Sequence, residues 1–191
     1  MPKLYFRYGT MNSSKTANLL MVAHNYRSQG KVAILIKPQI DTRDGLETIK
    51  SRAFSHKIDV DIILNSGTKD ISFNENISPD CILVDEAQFL SMENVDALRN
   101  LPYDIPIMCY GLRTDYRSKL FPGAQRLMEV ADNIEEIKTV CVNCHNKAII
   151  NAKYYLDSQT GKKIVIHDGS SEIDLGAEEK YNPLCWNCWK L

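Results

Sequence analysis

The segment from Gly9 to Thr16, with the letters GTMNSSKT, constrains the fold of this 191-residue chain more than any other part of it. It nearly matches the phosphate-loop pattern G-x-x-x-x-G-K-[ST]. In that loop, backbone N–H groups and a lysine surround phosphates, and a hydroxyl group binds Mg²⁺. The loop must follow a strand and open a helix, because a helix N-terminus favours an anion. The segment therefore predicts a strand–loop–helix unit that binds a nucleotide.

One residue departs from the loop pattern. Ser14 stands where the second glycine is expected. A side chain there would crowd the loop, and it would be strained if the position needs a positive φ, which glycine adopts far more readily than other residues.

The residues around the loop have the periodicity that its position requires. Leu4, Phe6 and Tyr8 alternate with other residues as in a strand, and apolar residues recur at helical spacing over 15–29. Further apolar runs predict strands at 31–37 and 134–140, Ser91 is expected to cap a helix, and the polar stretch 38–57 is expected to be a long loop. Strands that alternate with helical patterns are typical of a parallel sheet with helical crossovers. We therefore expect an α/β fold, with a P-loop (RecA-like) parallel-sheet domain over residues 1–140.

An acidic segment completes the predicted nucleotide site. The apolar run Cys81–Val84 ends in Asp85 and Glu86. In P-loop proteins a carboxylate at such a strand end holds Mg²⁺ and its water, and the adjacent Glu86 is placed to take a proton from a nucleophile. The letters DEAQ over 85–88 also resemble a helicase box, but a helicase motor needs two such domains and this chain has room for one.

Four cysteines form two C-x-x-C pairs, Cys141 with Cys144 and Cys185 with Cys188. In a reducing compartment such pairs more often bind metal than form disulfides, and four thiolates are typical of a structural Zn²⁺ site. Between the pairs, the pattern favours a β-hairpin. We therefore expect a small zinc-binding β-hairpin domain over residues 141–191.

Two other interpretations of these cysteines deserve comparison. The residues from Cys141 to His145 fit the attachment pattern of a c-type haem, and a single C-x-x-C pair can be a redox centre. The haem pattern needs export and leaves the second pair unexplained, while a thioredoxin-like centre needs one pair at a helix start. The spacing of both pairs therefore favours zinc.

Charge and hydropathy argue against two classes of partner. With 23 basic and 24 acidic residues the net charge is −1, so no overall basic field would attract nucleic acid. The longest apolar run, Val32–Ile36, is far shorter than the ~20 residues of a membrane helix. Charges also occupy the positions where a signal peptide needs its apolar core. We expect a cytoplasmic protein that binds neither nucleic acid nor membrane.

Five motifs in order resemble the type II (cytosolic) thymidine kinase family over nearly the whole chain. They are the loop with its internal methionine at 9–16, DEAQF at 85–89, GLRTDY at 111–116 with a phenylalanine five residues on, LGAEEKY at 175–181, and the last cysteine pair at 185–188. Tyr116 stands where the family has Phe, and Trp186 where it has Arg.

The resemblance implies a transferase that moves the γ-phosphate of ATP to the 5′-OH of thymidine, and also of deoxyuridine, for nucleotide salvage and DNA synthesis. It implies structural Zn²⁺, Mg²⁺ bound with ATP, a homotetramer and inhibition by dTTP. It also implies that the polar stretch 38–57 is a lid over the triphosphate and that 141–191 forms a lasso over the nucleoside.

The resemblance also assigns residues. Glu86 would be the catalytic base on the 5′-OH. The ATP site would comprise Gly9, Thr10, Met11, Asn12, Ser13, Ser14, Lys15, Thr16, Asp85, Gln88 and the lid residue Arg43. The nucleoside site would comprise Met11, Phe89, Leu112, Tyr116, Phe121, Asn151, Ile173, Asp174, Leu175, Gly176 and Tyr181.

A different class of function remains open from the sequence. The chain could be a non-catalytic ATP-sensing or nucleic-acid-binding protein, with a zinc ribbon as reader and Trp186 and Trp189 as stacking platforms. The absence of a basic cluster over 141–191 argues against it. A motor ATPase would differ from both in hydrolysing ATP without any nucleoside.

Overall fold

A computed structural model describes residues 1–41, 45, 47–51, 57–74, 77–169 and 180–191. The strands are Lys3–Tyr8 (β1), Ala33–Pro38 (β2), Thr48–Lys50 (β3), Lys57–Asp59 (β4), Ile62–Leu64 (β5), Cys81–Val84 (β6), Pro106–Gly111 (β7), Asn133–Glu136 (β8), Ile150–Leu156 (β9), Lys163–Ile166 (β10) and Tyr181–Leu184 (β11). The helices are Lys15–Ser28 (α1), Met92–Arg99 (α2), Pro122–Val130 (α3) and Trp186–Lys190 (α4), with a 3-10 turn at Ala87–Phe89.

Six strands form one parallel sheet in the order β5-β2-β6-β7-β1-β8. This confirms the predicted α/β class. A single strand, β7, separates β1 from β6. Because the carboxyl ends of parallel strands meet at one edge, the loop after β1 and the acidic residues after β6 begin on the same side of the sheet.

Helices pack against both faces of this sheet. On one face α1 contributes Leu19 and Ala23 to a buried cluster that includes Tyr110. On the other face, α2 and α3 contribute Val95 and Leu127 to the larger cluster. A fully buried valine or leucine side chain stabilises the fold by about 1.5–3 kcal/mol, so all three helices are held mainly by their apolar faces.

The start of α2 follows from its sequence. The Ser91 hydroxyl accepts from the Asn94 N–H at 3.2 Å, and the Asn94 side chain accepts from the Ser91 N–H at 3.0 Å. This reciprocal pair satisfies donors that an uncapped helix leaves unpaired. The prediction of a helix beginning after Ser91 is confirmed.

Two features differ from the sequence interpretation. The polar stretch 38–57 contains β3 and the first residue of β4, which pair antiparallel, with Thr48 opposite Asp59. The last strand of the sheet ends at Glu136 instead of continuing to Val140. It ends there because β1 stops at Tyr8, whose carbonyl accepts the last bond of this edge, from the Ile137 N–H at 2.7 Å.

The cysteine-rich region has its own small antiparallel sheet, in the order β10-β9-β11. Strands β9 and β10 form the predicted hairpin, while β11 was not predicted. A separate buried cluster includes Ile150, Leu184 and Trp189 together with Cys141 and Cys185. None of the helices in the described parts of the chain has both the length and the apolar content to cross a lipid bilayer.

A buried lysine near the end of β2 anchors the stretch that follows. The Lys37 Nζ atom lies 3.2 Å from the Asp41 carboxylate, and the two side chains are 2% and 4% exposed. The same ammonium donates to the carbonyls of Gly45 at 3.0 Å and Thr48 at 3.2 Å. Its three N–H groups thus meet three acceptors, which offsets the cost of burying the charge. Sequence analysis treated Lys37 only as the end of an apolar strand.

We expect Lys37→Met to lower the free energy of unfolding by about 3–5 kcal/mol, because it leaves a buried carboxylate without its ammonium. The measurement is equilibrium urea unfolding, with Lys31→Met, at an exposed lysine, as the control. Equal urea midpoints for the two variants would contradict a stabilising role for the buried pair.

Candidate active site

The loop between β1 and α1 is tightly closed at its first residue. A Cβ on Gly9 would overlap the carbonyl oxygen of Ile137 and the side chain of Ser13, so only glycine fits there. The Lys15 Nζ atom donates to the Thr10 carbonyl at 2.8 Å and to Ser13 Oγ at 3.4 Å. The buried lysine thus spans its own loop at the N-terminus of α1, where an anion is favoured.

Two residues of this loop adopt the left-handed conformation. Asn12 has φ 61°, and Ser14 has φ 61° and ψ 27°. Ser14 is therefore in a conformation that costs a residue with a Cβ about 1–2 kcal/mol. Its side chain also makes no capping hydrogen bond to α1. The strain anticipated from the missing glycine is present at this residue.

Asp85 lies directly beside the end of the loop. Thr16 Oγ1 is 3.2 Å and 3.3 Å from the two carboxylate oxygens of Asp85. Burial, followed by the charge of adjacent Glu86, raises the pKa of Asp85 well above its ordinary value, while Thr16 and Lys15 act in the opposite direction. An aspartate that is costly to ionise favours a cation nearby, and a hydroxyl with a carboxylate is a donor set suited to Mg²⁺.

Glu86 has an unusual backbone conformation, and Gln88 holds its carboxylate in position. Its backbone is left-handed, with φ 49° and ψ 40°, and strain of this kind is concentrated at functional sites. The Gln88 Nε2 group donates to Glu86 Oε2 at 2.5 Å, and Gln88 Oε1 accepts from the Leu112 N–H at 2.9 Å. Gln88 is 1% exposed. Its contacts favour a role in orienting Glu86 over the predicted contact with ATP.

A group of apolar side chains, which we call the apolar wall, follows the ends of two neighbouring strands. The rings of Phe89 and Phe121 meet edge to face with centroids 5.7 Å apart. Leu112, Tyr116 and Phe121 are each less than one-tenth exposed. These residues, predicted to contact a nucleoside base, follow β6 and β7 and therefore lie at the same sheet edge as Glu86. Apolar residues of this kind suit a flat, uncharged ring.

Hydrogen bonds join the loop and the sheet to the cysteine-rich region. The Met11 N–H donates to Asn151 Oδ1 at 2.6 Å, although the two residues are far apart in sequence. Lys147 pairs with Glu136 at the end of β8 at 2.5 Å. Asn151 is 4% exposed. The side-chain oxygen of Asn151 therefore fixes the backbone of the predicted phosphate loop at Met11.

Other predicted residues lie near this junction. Tyr181 on β11 is opposite Lys153 on β9, and Lys153 Nζ lies 5.2 Å from the centroid of the Tyr116 ring. The predictions for Arg43, Ile173, Asp174, Leu175 and Gly176 fall outside the described residues.

Two polar residues that sequence analysis missed are Lys37 and Arg117. No sequence pattern marks them, because each acts by contacting backbone carbonyls distant in sequence.

The four paired cysteines converge as predicted. The sulfur atoms of Cys141, Cys144, Cys185 and Cys188 all lie within 4.8 Å of one another. Cys144 Sγ is 3.6 Å from both Cys185 Sγ and Cys188 Sγ. A tetrahedral zinc ion with bonds of about 2.3 Å places its sulfurs about 3.8 Å apart, so this cluster fits Zn²⁺.

The electrostatics of the thiols also fit a cation. Burial alone would raise the pKa of the Cys141 thiol, but backbone N–H groups of Cys185, Asn143 and Cys144 donate to its sulfur and lower that pKa to about 6. By contrast, hydrogen bonds with Cys144 and Cys185 raise the pKa of Cys188 to about 12. Four adjacent thiolates repel one another, and a metal ion that binds all four removes this penalty.

Replacing the strained serine tests the loop geometry. We expect Ser14→Gly to raise the free energy of unfolding by about 1 kcal/mol, because glycine adopts the left-handed conformation without strain. Ser14→Ala keeps a Cβ and should give no such gain. Urea unfolding of both variants measures the difference, and equal midpoints would contradict strain at this residue.

Metal analysis tests the cysteine cluster. We expect the purified protein to carry about one zinc ion per chain, and Cys188→Ser to lose most of it, because structural zinc needs all four ligands. Cys81→Ala, at a buried cysteine outside the cluster, should retain the metal. Elemental analysis by plasma mass spectrometry gives the readout; a wild-type protein without zinc would refute the assignment.

The chain is similar to known proteins over nearly its whole length. The family model described as Thymidine kinase matches residues 2–189. The thymidine kinase of Enterococcus faecalis is 37% identical over 187 residues, covering 97% of this chain and 93% of that protein. The thymidine kinases of Streptococcus gordonii and Streptococcus agalactiae are each 40% identical, covering 97% of this chain and 94% and 95% of their own length. The chain belongs to the thymidine kinase family.

Proposed function

We propose that this protein is an ATP-dependent thymidine kinase, which transfers the γ-phosphoryl group of ATP to the 5′-OH of thymidine and yields dTMP and ADP. One observation carries the proposal beyond family membership. Glu86, oriented by Gln88, follows Asp85 after β6, at the sheet edge where the loop of Lys15 and the apolar residues after β7 also begin. Phosphate, base and proton acceptor can therefore meet at one place.

The loop residues bind the triphosphate. Backbone N–H groups of the loop and of the first turn of α1 surround the phosphates, and Lys15 turns from its own loop oxygens to them. Thr16 and Asp85 would hold Mg²⁺, which neutralises charge on the phosphates when it is bound. Arg43, in the proposed lid 38–57, is a further candidate for contact with ATP.

Glu86 supplies the proton chemistry. The 5′ oxygen attacks the γ-phosphorus as the bond from that phosphorus to ADP breaks, and the hydroxyl proton passes to the Glu86 carboxylate. The Gln88 amide holds this carboxylate in one orientation, so the base needs no rearrangement at the moment of transfer.

The nucleoside would lie between the apolar wall and the cysteine-rich region. The apolar wall is formed by Phe89, Leu112, Tyr116 and Phe121. The hydrogen bond from the Met11 N–H to Asn151 joins the cysteine-rich region to the loop. Tyr181 and the run 173–176 are further candidates for contact with the nucleoside. In this proposal, residues 1–140 bind ATP and residues 141–191, fixed by structural zinc, close over the nucleoside.

Several finer features belong to the same proposal and come from the family resemblance. They are phosphorylation of deoxyuridine, inhibition by dTTP and assembly as a homotetramer. A cytoplasmic location and no interaction with nucleic acid also belong to the proposal, and they come from the charge and pattern of the sequence.

The variant Glu86→Gln tests the role of the base. We expect kcat to fall by about 10²–10⁴-fold while KM for ATP and thymidine changes little, because an amide keeps the shape and the contact with Gln88 but cannot accept the proton. Thymidine-dependent ADP formation is the measurement, and Glu129→Gln, at a surface residue of α3, is the control. An unchanged kcat would remove Glu86 from this role, whereas wild-type ATP hydrolysis that needs no nucleoside would favour a motor ATPase.

A further inference from the structure

Arg117 connects the predicted base wall to the cysteine-rich region. Its Nη1 group donates to the Gly169 carbonyl at 3.2 Å. The same guanidinium is held by Asp115, with Nε and Nη2 each 2.7 Å from Oδ2. Asp115 is 4% exposed and its other oxygen accepts the N–H groups of Arg117 and Lys119, both at 2.9 Å. Arg117 is therefore oriented before it contacts Gly169, which strengthens a charge-assisted hydrogen bond.

The hydroxyl group of Tyr116 contacts the same glycine. A Cβ on Gly169 would overlap the Tyr116 hydroxyl oxygen and lie 3.4 Å from Cζ. The ring itself is 2% exposed, and the cations of Lys153 and Arg117 lie 5.2 Å and 5.8 Å from its centroid. The backbone of Gly169 thus rests directly on a tyrosine hydroxyl that cannot move away without disturbing a buried ring.

The position of these contacts gives them a consequence for binding. Tyr116 belongs to the apolar wall that follows β7, whereas Gly169 follows β10 in the cysteine-rich region. We name Asp115, Tyr116, Arg117 and Gly169 the Gly169 clasp. It joins the two parts of the chain between which we place the nucleoside.

We propose that Arg117 is a positioning residue for nucleoside binding, which acts by holding Gly169 on Tyr116 and so keeps the cysteine-rich region against the apolar wall. This inference rests on the proposed thymidine kinase function. Two sides of a site that are already held together lose less conformational entropy when the nucleoside binds, so the clasp lowers KM for thymidine. It touches neither the phosphate loop nor Glu86 among the described residues, so the ATP site and the phosphoryl transfer do not depend on it.

The first test compares two arginine variants. We expect Arg117→Gln to raise KM for thymidine about tenfold, the effect of losing one charge-assisted hydrogen bond, with kcat and KM for ATP within about twofold of wild type. Arg117→Lys should recover part of the loss. The control Arg126→Gln removes the ion pairs of an arginine on α3 with Asp96 and Glu129, and it should leave KM for thymidine unchanged.

The second test addresses the contact with Tyr116. We expect Gly169→Ala to raise KM for thymidine, because its methyl group collides with the hydroxyl oxygen, and Tyr116→Phe combined with Gly169→Ala to reverse most of that rise relative to Tyr116→Phe alone. Thermal melting confirms that each variant is folded.

The outcomes separate the two claims. An unchanged KM for thymidine in both Arg117→Gln and Gly169→Ala overturns the clasp, and so does an equal loss in kcat and in KM for ATP, which indicates a general structural defect. A wild-type protein that phosphorylates no nucleoside overturns the proposed function itself, and the clasp with it.

Discussion

The parallel register of β1, β7 and β6 is the constraint on which the candidate site depends. Phe6 and Val84 lie opposite the same residue, Cys109 on β7, so the two outer strands of this trio are level with each other. The acidic pair follows Val84 directly, and the phosphate loop follows Tyr8 slightly further along, so both leave the same edge of the sheet. A shift of one residue would turn the alternating side chains to the wrong face and separate Thr16 from Asp85.

This arrangement stores strain where the chemistry is expected. Ser14 and Glu86 both adopt the left-handed conformation, and both lie where a strand of the sheet passes into a helical turn. Tight packing around the two residues keeps this strained backbone in place, since neither Gly9 nor Gly111 has room for a Cβ. Each strained residue costs about 1–3 kcal/mol, which the buried clusters around it must offset.

The cysteine-rich region has a small core of its own and is joined to the rest of the chain by polar contacts. Its buried cluster is separate from the two clusters of the main sheet. Asn151 and Gly169 accept hydrogen bonds from the Met11 N–H and from Arg117, and Lys147 donates to Glu136 of β8. A region with so little apolar core would gain much of its stability from metal at its four cysteines, and zinc at both ends of the predicted lasso would hold it in one shape.

The sequence by itself determined the parallel α/β class, the position of the phosphate loop, the cap at Ser91 and the convergence of four cysteines, because each follows from local periodicity or from spacing along the chain. It also marked Ser14 as the residue exposed to strain. Only the tertiary structure decided that Gln88 orients Glu86, that Asn151 fixes the backbone of Met11, and that Lys37 and Arg117 hold distant carbonyls. Those contacts join residues between 2 and 140 positions apart, with no periodicity that could predict them. Which side chain meets which backbone group is set by how the strands align and how the two sheets pack.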